Sequence, residues 1–169
     1  SVLGQLAFSV NCFENYVLTK YPDKNWKTLL KKMWSVSSAE WIDDDWFYPM
    51  VEYMPEVIFD ANDFESYGFN YLSKSEFNYL TDLYKDCNSD VNHILTVIIE
   101  DMVNVYLYTS ISDQGEELND LVLSLVDFLS RNNIEIPDIK KYKFAKWGLG
   151  KGKRGVNFDA SVFSKLDLS

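Results

Sequence analysis

The chain has 169 residues, of which 47% are hydrophobic and 16% aromatic, and its formal net charge is −10. This length fits one domain, and the content of large apolar residues is far above that of a disordered chain. The surplus of acids argues against binding to nucleic acid, where Lys and Arg must neutralise phosphate, and against an anionic membrane surface. We therefore expect a single domain over residues 1–169 with neither kind of partner.

The first part of the chain reads as a series of helices. Apolar residues recur at steps of three and four over residues 2–21, which predicts an amphipathic helix with one apolar face. Asp23 is a candidate N-cap for a second helix that runs through Val36. A third helical stretch is predicted over residues 39–46. Residues 56–72 show no clear period, and we expect them to form a loop.

The second part is also mainly helical. A Ser-x-x-Glu capping box that starts at Ser73 predicts a helix to about Asp86. Residues 90–109 are apolar on nearly all sides, which is typical of a buried central helix, although a strand within this β-branched run is the alternative. A further helix is predicted from a cap at Asp113 to about Asn133. The expected fold is a compact, mainly all-α bundle around a buried central helix.

The charges are segregated along the chain. Residues 140–155 hold seven basic residues, no acid and four of the seven glycines, and residues 156–169 form a short C-terminal tail. Between Lys32 and Lys74 there is no Lys or Arg, but there are nine acids and many aromatic residues. We call residues 40–65 the acidic–aromatic region.

This composition suggests a recognition surface for a cationic protein, because aromatic side chains are enriched at binding hot spots and carboxylates attract a basic partner. The alternative is that the aromatic side chains face the core and the acids face water. The predicted partner-binding residues are Glu40, Trp41, Asp43, Asp44, Asp45, Trp46, Asp60, Asp63 and Glu65.

Few residues suggest chemistry. Consecutive side chains such as Asp43–Asp45 point about 100° apart on a helix, so they cannot converge on one metal ion. His93 is the only histidine, and a zinc site or a Cys–His nucleophile with Cys12 or Cys87 would depend on tertiary proximity alone. Both cysteines favour buried thiols in a reducing compartment. We expect no metal, no cofactor, no catalytic residues and a cytoplasmic location.

Two features leave alternatives open. Glu100 and Asp101 interrupt the apolar segment, either as an acid–base pair or as its solvent-exposed edge. Residues 150–155 match G-x-G-x-x-G, but a dinucleotide site needs a strand before the motif and a helix after it, and neither is predicted. A flexible basic loop is the simpler interpretation of residues 140–155. The alternatives are an anion contact and a clamp onto the acidic–aromatic region.

Residues 6–16, the pair Trp34-Ser35 and residues 106–109 resemble bacterial immunity proteins, the small partners of polymorphic and contact-dependent-inhibition toxins. The resemblance implies a cytoplasmic monomer or weak homodimer that binds and neutralises a cognate toxin domain without a cofactor. Many such toxins are basic nucleases, which would suit an acidic surface. The competing hypotheses are a small enzyme that uses Cys12 or Glu100, and a structural subunit that pairs its basic segment with the acidic region of another copy.

Overall fold

The computed structural model describes residues 1–108, 114–142 and 155–169, and every regular element within these ranges is a helix. The mainly all-α prediction is confirmed. In chain order the α-helices are α1 (Val2–Lys20), α2 (Lys27–Trp34), α3 (Tyr48–Val51), α4 (Pro55–Asp60), α5 (Phe64–Tyr67), α6 (Lys74–Tyr84), α7 (Ser89–Thr96), α8 (Met102–Tyr108) and α9 (Gln114–Arg131).

Several tighter or wider turns extend these helices. A π-helical turn at Ile42–Phe47 leads directly into α3, and a second one at Val97–Asp101 joins α7 to α8. Short 3₁₀ turns lie at Ser35–Ser37, Ile139–Tyr142 and Ala160–Val162. No helix of the described ranges combines the length and the apolar character that crossing a bilayer requires.

The helix α1 is the most deeply buried element. It packs against α2, α7 and α9, and all its residues from Val2 to Val17 are buried except Gln5, which is partly exposed. The predicted helix over residues 2–21 is confirmed, and its polar side is buried as well as its apolar face. The segment α7–α8 is helical and largely buried as predicted, which excludes the strand alternative up to Tyr108.

The polar side of α1 is covered by the C-terminal tail, residues 155–169. Glu14 is 0% exposed and accepts hydrogen bonds from the indole N–H of Trp34 at 2.6 Å, the hydroxyl of Ser164 at 3.0 Å and the main-chain N–H of Lys165. The amide of Asn11 donates to the carbonyl oxygen of Phe163 at 2.8 Å. A buried carboxylate is tolerated only when such donors replace water. The tail is therefore an integral part of the core.

The tail also packs aromatic rings against α2. The ring of Phe163 stacks on Trp34 at 6.4 Å between centroids, and Phe158 meets the same indole edge-on at 6.4 Å. The main-chain N–H of Phe158 donates to the carbonyl oxygen of Ser37 at 3.2 Å. These contacts place the tail across both α1 and the end of α2.

Two predicted helix starts have different outcomes. The predicted start of α2 was wrong, because Asp23 lies in a turn and the helix begins at Lys27 with Trp26 in the N-cap position. The indole of Trp26 is 1% exposed, and its N–H donates to the carbonyl oxygen of Tyr21. The burial of this ring therefore determines where α2 begins. The capping box that begins at Ser73 is present at the start of α6, as predicted.

The predicted loop over residues 56–72 was wrong, because it contains most of α4 and all of α5. Each helix is too short to show a period, but each has a local start signal. Pro55 occupies the first position of α4, where its missing N–H costs nothing. The carboxylate of Asp63 caps α5, and Gly68 ends it with a φ of +79°.

Near the C-terminus the described ranges cover the predictions only in part. Helix α9 ends at Arg131, and Asn133 follows with a φ of +55°, in agreement with the predicted end. The predicted cap Asp113 lies outside the described residues. So does most of the basic segment 140–155, including positions 150–154 of the glycine motif.

We expect Glu14→Ala to lower the free energy of unfolding by about 3 kcal/mol, because the buried indole N–H of Trp34 would lose its acceptor and the main-chain N–H of Lys165 would lose its partner as well. Urea denaturation followed by tryptophan fluorescence measures this loss. Glu135→Ala is the matched control, since the carboxylate of Glu135 is largely exposed and pairs with the ammonium of Lys165 at 2.8 Å. Equal stability losses for the two variants would contradict the structural role assigned to Glu14.

Candidate partner-binding surface

The first group of predicted residues lies on the loop and π-helical turn between Ser38 and Pro49. Trp41 is 58% exposed, and its neighbour Glu40 is also exposed. Asp44 is exposed and Asp43 partly so. These side chains therefore reach the surface close together along the chain, as a recognition surface requires.

Trp46 does not belong to this surface, so its assignment as a partner contact was wrong. Its side chain is 0% exposed, and its indole N–H donates to the carbonyl oxygen of Met33 at 2.8 Å. The ring thereby attaches the π-helical turn to α2. A buried indole with a satisfied N–H contributes to the core and positions the neighbouring residues.

Asp45 is exposed, but its carboxylate is engaged by the main chain. One oxygen accepts hydrogen bonds from the N–H groups of Glu40 and Trp41, both at 2.8 Å. This contact closes the turn before the π-helical segment and orients the backbone that carries Trp41. The role of Asp45 in the surface is therefore to position its neighbours.

The second group of predicted residues lies on α4 and α5. Asp60 is exposed at the end of α4. Asp63 accepts the main-chain N–H of Ser66 at 2.8 Å, and this hydrogen bond lowers the pKa of the Asp63 carboxyl. Glu65 forms an ion pair with Lys74, whose ammonium lowers the pKa of Glu65. The contacts of this group lead to α6 rather than to the π-helical turn.

Four exposed aromatic residues in and beside the acidic–aromatic region were missing from the predicted set. Tyr48 is 45% exposed, Phe59 57%, Tyr67 46% and Tyr71 50%. The density of aromatic residues was visible in the sequence. Which rings face water was not, because that depends on how the short helices α3, α4 and α5 pack against the rest of the chain.

A second carboxylate organises the end of this region. Glu52 accepts hydrogen bonds from the main-chain N–H groups of Asn70, Tyr71 and Leu72, each at 2.8 Å. Its two oxygens thus hold the segment after α5 and set the position of the exposed Tyr71. Like Asp45, Glu52 contributes to the surface by shaping the backbone.

The cysteines do not form a nucleophilic pair with His93 in this structure. Cys12 is fully buried, and burial raises the pKa of its thiol. Cys87 is partly buried, burial raises its pKa, and its thiol donates to the carbonyl oxygen of Leu83 at 3.4 Å. A pocket of about 230 Å³ is lined by Cys87 together with Glu56, but His93 is not part of its lining.

Glu100 and Asp101 form the wetter edge of the α7–α8 segment. Glu100 is partly buried and Asp101 is exposed. Burial raises the pKa of Glu100, and the nearby carboxylates of Glu56 and Asp101 raise it further. Among the described residues, no group of three or more His, Cys, Asp or Glu side chains is arranged to hold a metal ion.

Comparison of the chain with models of protein families, with curated proteins and with solved structures finds no match.

We expect Asp45→Ala to destabilise the protein by about 1 kcal/mol, as the loss of a helix cap does, because two N–H groups would lose their acceptor. Asp44→Ala is the matched control, since it removes a neighbouring exposed carboxylate. Thermal unfolding followed by circular dichroism compares the two variants. If both unfold at the same temperature, the positioning role of Asp45 is wrong.

We expect Glu100→Gln to raise the Tm at pH 7 by about 1–2 °C. The raised pKa means that Glu100 binds its proton more tightly in the folded state than in the unfolded state. Protonated Glu100 therefore favours the folded state, and this stabilisation is lost as the pH rises through the folded-state pKa. The advantage of the glutamine should therefore vanish below about pH 3, where the glutamate is protonated in both the folded and the unfolded state. Glu116→Gln, at an exposed position of α9, should show no gain at either pH.

Proposed function

We propose that this protein is a cytoplasmic, immunity-type inhibitor that binds a basic toxin domain through its acidic–aromatic region. The observation that carries the proposal is the exposure of aromatic rings among acids in a stretch without Lys or Arg. Trp41 is 58% exposed and Tyr48 45%, and Asp44 lies exposed between them in sequence. The resemblance of residues 6–16 to immunity proteins supports the same assignment.

Exposed aromatic rings and carboxylates make different contributions to such an interface. The rings of Trp41 and Tyr48 offer large contact areas with few rotatable bonds, so little entropy is lost when a partner covers them. The carboxylates of Asp43 and Asp44 attract a basic surface and raise its association rate. Together they favour a cationic protein over a neutral one.

The buried contacts beneath this surface support its use for tight binding. Trp46 attaches the π-helical turn to α2, and Asp45 closes the turn before it. A surface that is already ordered pays less entropy on association than a loop that must fold against its partner. An inhibitor that must retain a toxin benefits from this preorganisation.

The cysteines support the proposed compartment. Cys12 and Cys87 are both free thiols in the structure. Free cysteines are usual in a reducing cytoplasm, whereas secreted proteins tend to pair them. A cytoplasmic location is where an immunity protein would meet a toxin that has entered the cell or is made in it.

The direct test is to sequence the genes that flank this one and to co-express the full chain with any basic toxin domain that they encode. We expect the full chain to restore growth of cells that make this domain, and the two proteins to elute together at a 1:1 ratio. Growth arrest despite good expression of the full chain, with separate elution of the two proteins, would refute the proposal.

The surface itself is tested by Asp43→Asn combined with Asp44→Asn. We expect the affinity for the toxin domain to fall about tenfold at low ionic strength, mainly through a slower association rate, and the difference to shrink at high salt. Surface plasmon resonance measures both rates. Asp45 is left unchanged because its carboxylate supports the backbone.

The matched control combines Asp82→Asn with Asp120→Asn, which removes the same charge from exposed positions on α6 and α9. We expect the control to retain at least half of the wild-type association rate. Equal losses for the two double variants would show that net charge, and not the proposed surface, determines the affinity.

A further inference from the structure

A groove with a basic rim lies beside α2. Its volume is about 500 Å³, which is within the range of small-molecule sites. We call it the lysine groove. It is lined by Lys27, Thr28, Lys31, Lys32, Ser35, Tyr53 and Glu76.

Among the described residues, the three ammonium groups of this groove have no ion-pair partner. Over the part of the chain that the structure describes, no carboxylate lies within 4.0 Å of Lys27, Lys31 or Lys32. Three like charges on one short helix repel each other, which an anion bound among them would relieve. In a chain with a net charge of −10, such a cluster contrasts with the rest of the surface.

Contacts inside the groove orient Lys32 and occupy the one acid in the lining. The Nζ of Lys32 lies 5.8 Å from the centre of the Tyr53 ring, as in a cation–π contact. The Tyr53 hydroxyl donates to Glu76 at 2.5 Å, and the main-chain N–H of Ser73 donates to the same carboxylate at 2.9 Å. Glu76 is thus held by these donors and by its role in the capping box.

The C-terminal tail brings one further carboxylate near the groove. The pKa of Asp167 is lowered by hydrogen bonds from the hydroxyl and N–H of Ser169, and also by the charges of Lys27 and Lys31. Asp167 therefore interacts electrostatically with these two ammonium groups, although it lies too far from them to form an ion pair. It is an internal anion that would compete with an external one.

We propose that the lysine groove binds a phosphorylated small molecule, whose phosphate oxygens contact the ammonium groups of Lys27, Lys31 and Lys32. Lysine binds phosphate as a point charge, and three of them match a group that carries more than one negative charge. A small ligand is favoured over a nucleic acid, because a long polyanion would meet the acidic remainder of the surface. The proposal is independent of the toxin partner.

The first test is isothermal titration of the full chain with sodium pyrophosphate in 50 mM NaCl. We expect saturable binding with a Kd of about 1 mM or below. Combining Lys27→Gln with Lys31→Gln should weaken binding at least tenfold. Asp167→Asn should tighten it about two- to threefold, because the competing carboxylate is removed.

The control combines Lys20→Gln with Lys85→Gln, which removes the same charge from exposed positions outside the groove. It should bind pyrophosphate within twofold of the wild type. No saturation by the wild type at 10 mM pyrophosphate, or equal losses for the two double variants, would overturn the proposal. Tighter binding of a single-stranded oligonucleotide than of pyrophosphate would overturn the assignment to a small molecule.

Discussion

The buried carboxylate of Glu14 connects the parts of the chain on which the rest of the structure depends. It lies on α1 and accepts hydrogen bonds from Trp34 at the end of α2 and from Ser164 and Lys165 in the C-terminal tail. Hydrogen bonds to a carboxylate offset the free energy that is lost when the group is removed from water. The loss of any one donor would therefore lower the free energy of unfolding. Departure of the tail from α1 would therefore remove two of the three hydrogen-bond donors of this carboxylate.

The position of the candidate surface follows from this arrangement. Because Trp34 is held by Glu14 and by the rings of the tail, the end of α2 is fixed, and the carbonyl of the adjacent Met33 accepts the indole N–H of Trp46. Trp46 in turn anchors the π-helical turn that carries the exposed acids. The surface is thus connected to the core through two buried indoles, which explains how a short turn between Ser38 and Pro49 can be preorganised.

The elements that the sequence predicts well are those with local signals, such as the capping box at Ser73 and the long periods of α1 and α9. The burial of the polar side of α1 could not be predicted in this way. Asn11 and Glu14 look solvent-exposed when only their own helix is considered, and their partners in the tail lie about 150 residues further along the chain. For the same reason Trp46 and Trp41 could not be distinguished, since only the position of α2 decides which indole is buried.

The two proposed binding regions show why net charge is a poor guide to partners. At physiological salt, the electrostatic potential of exposed charges falls off over roughly 8 Å. The binding energy of a ligand therefore depends more on the charged groups beside it than on the net charge of −10. Asp43 and Asp44 have no cation near them in sequence, while Lys27 and Lys31 lie with Lys32 in one groove, and their charges lower the pKa of Asp167. A basic protein and a phosphorylated small molecule can therefore each find a complementary site on one acidic chain. The tail affects both sites, because its rings hold Trp34 while the carboxylate of Asp167 lies near Lys27 and Lys31.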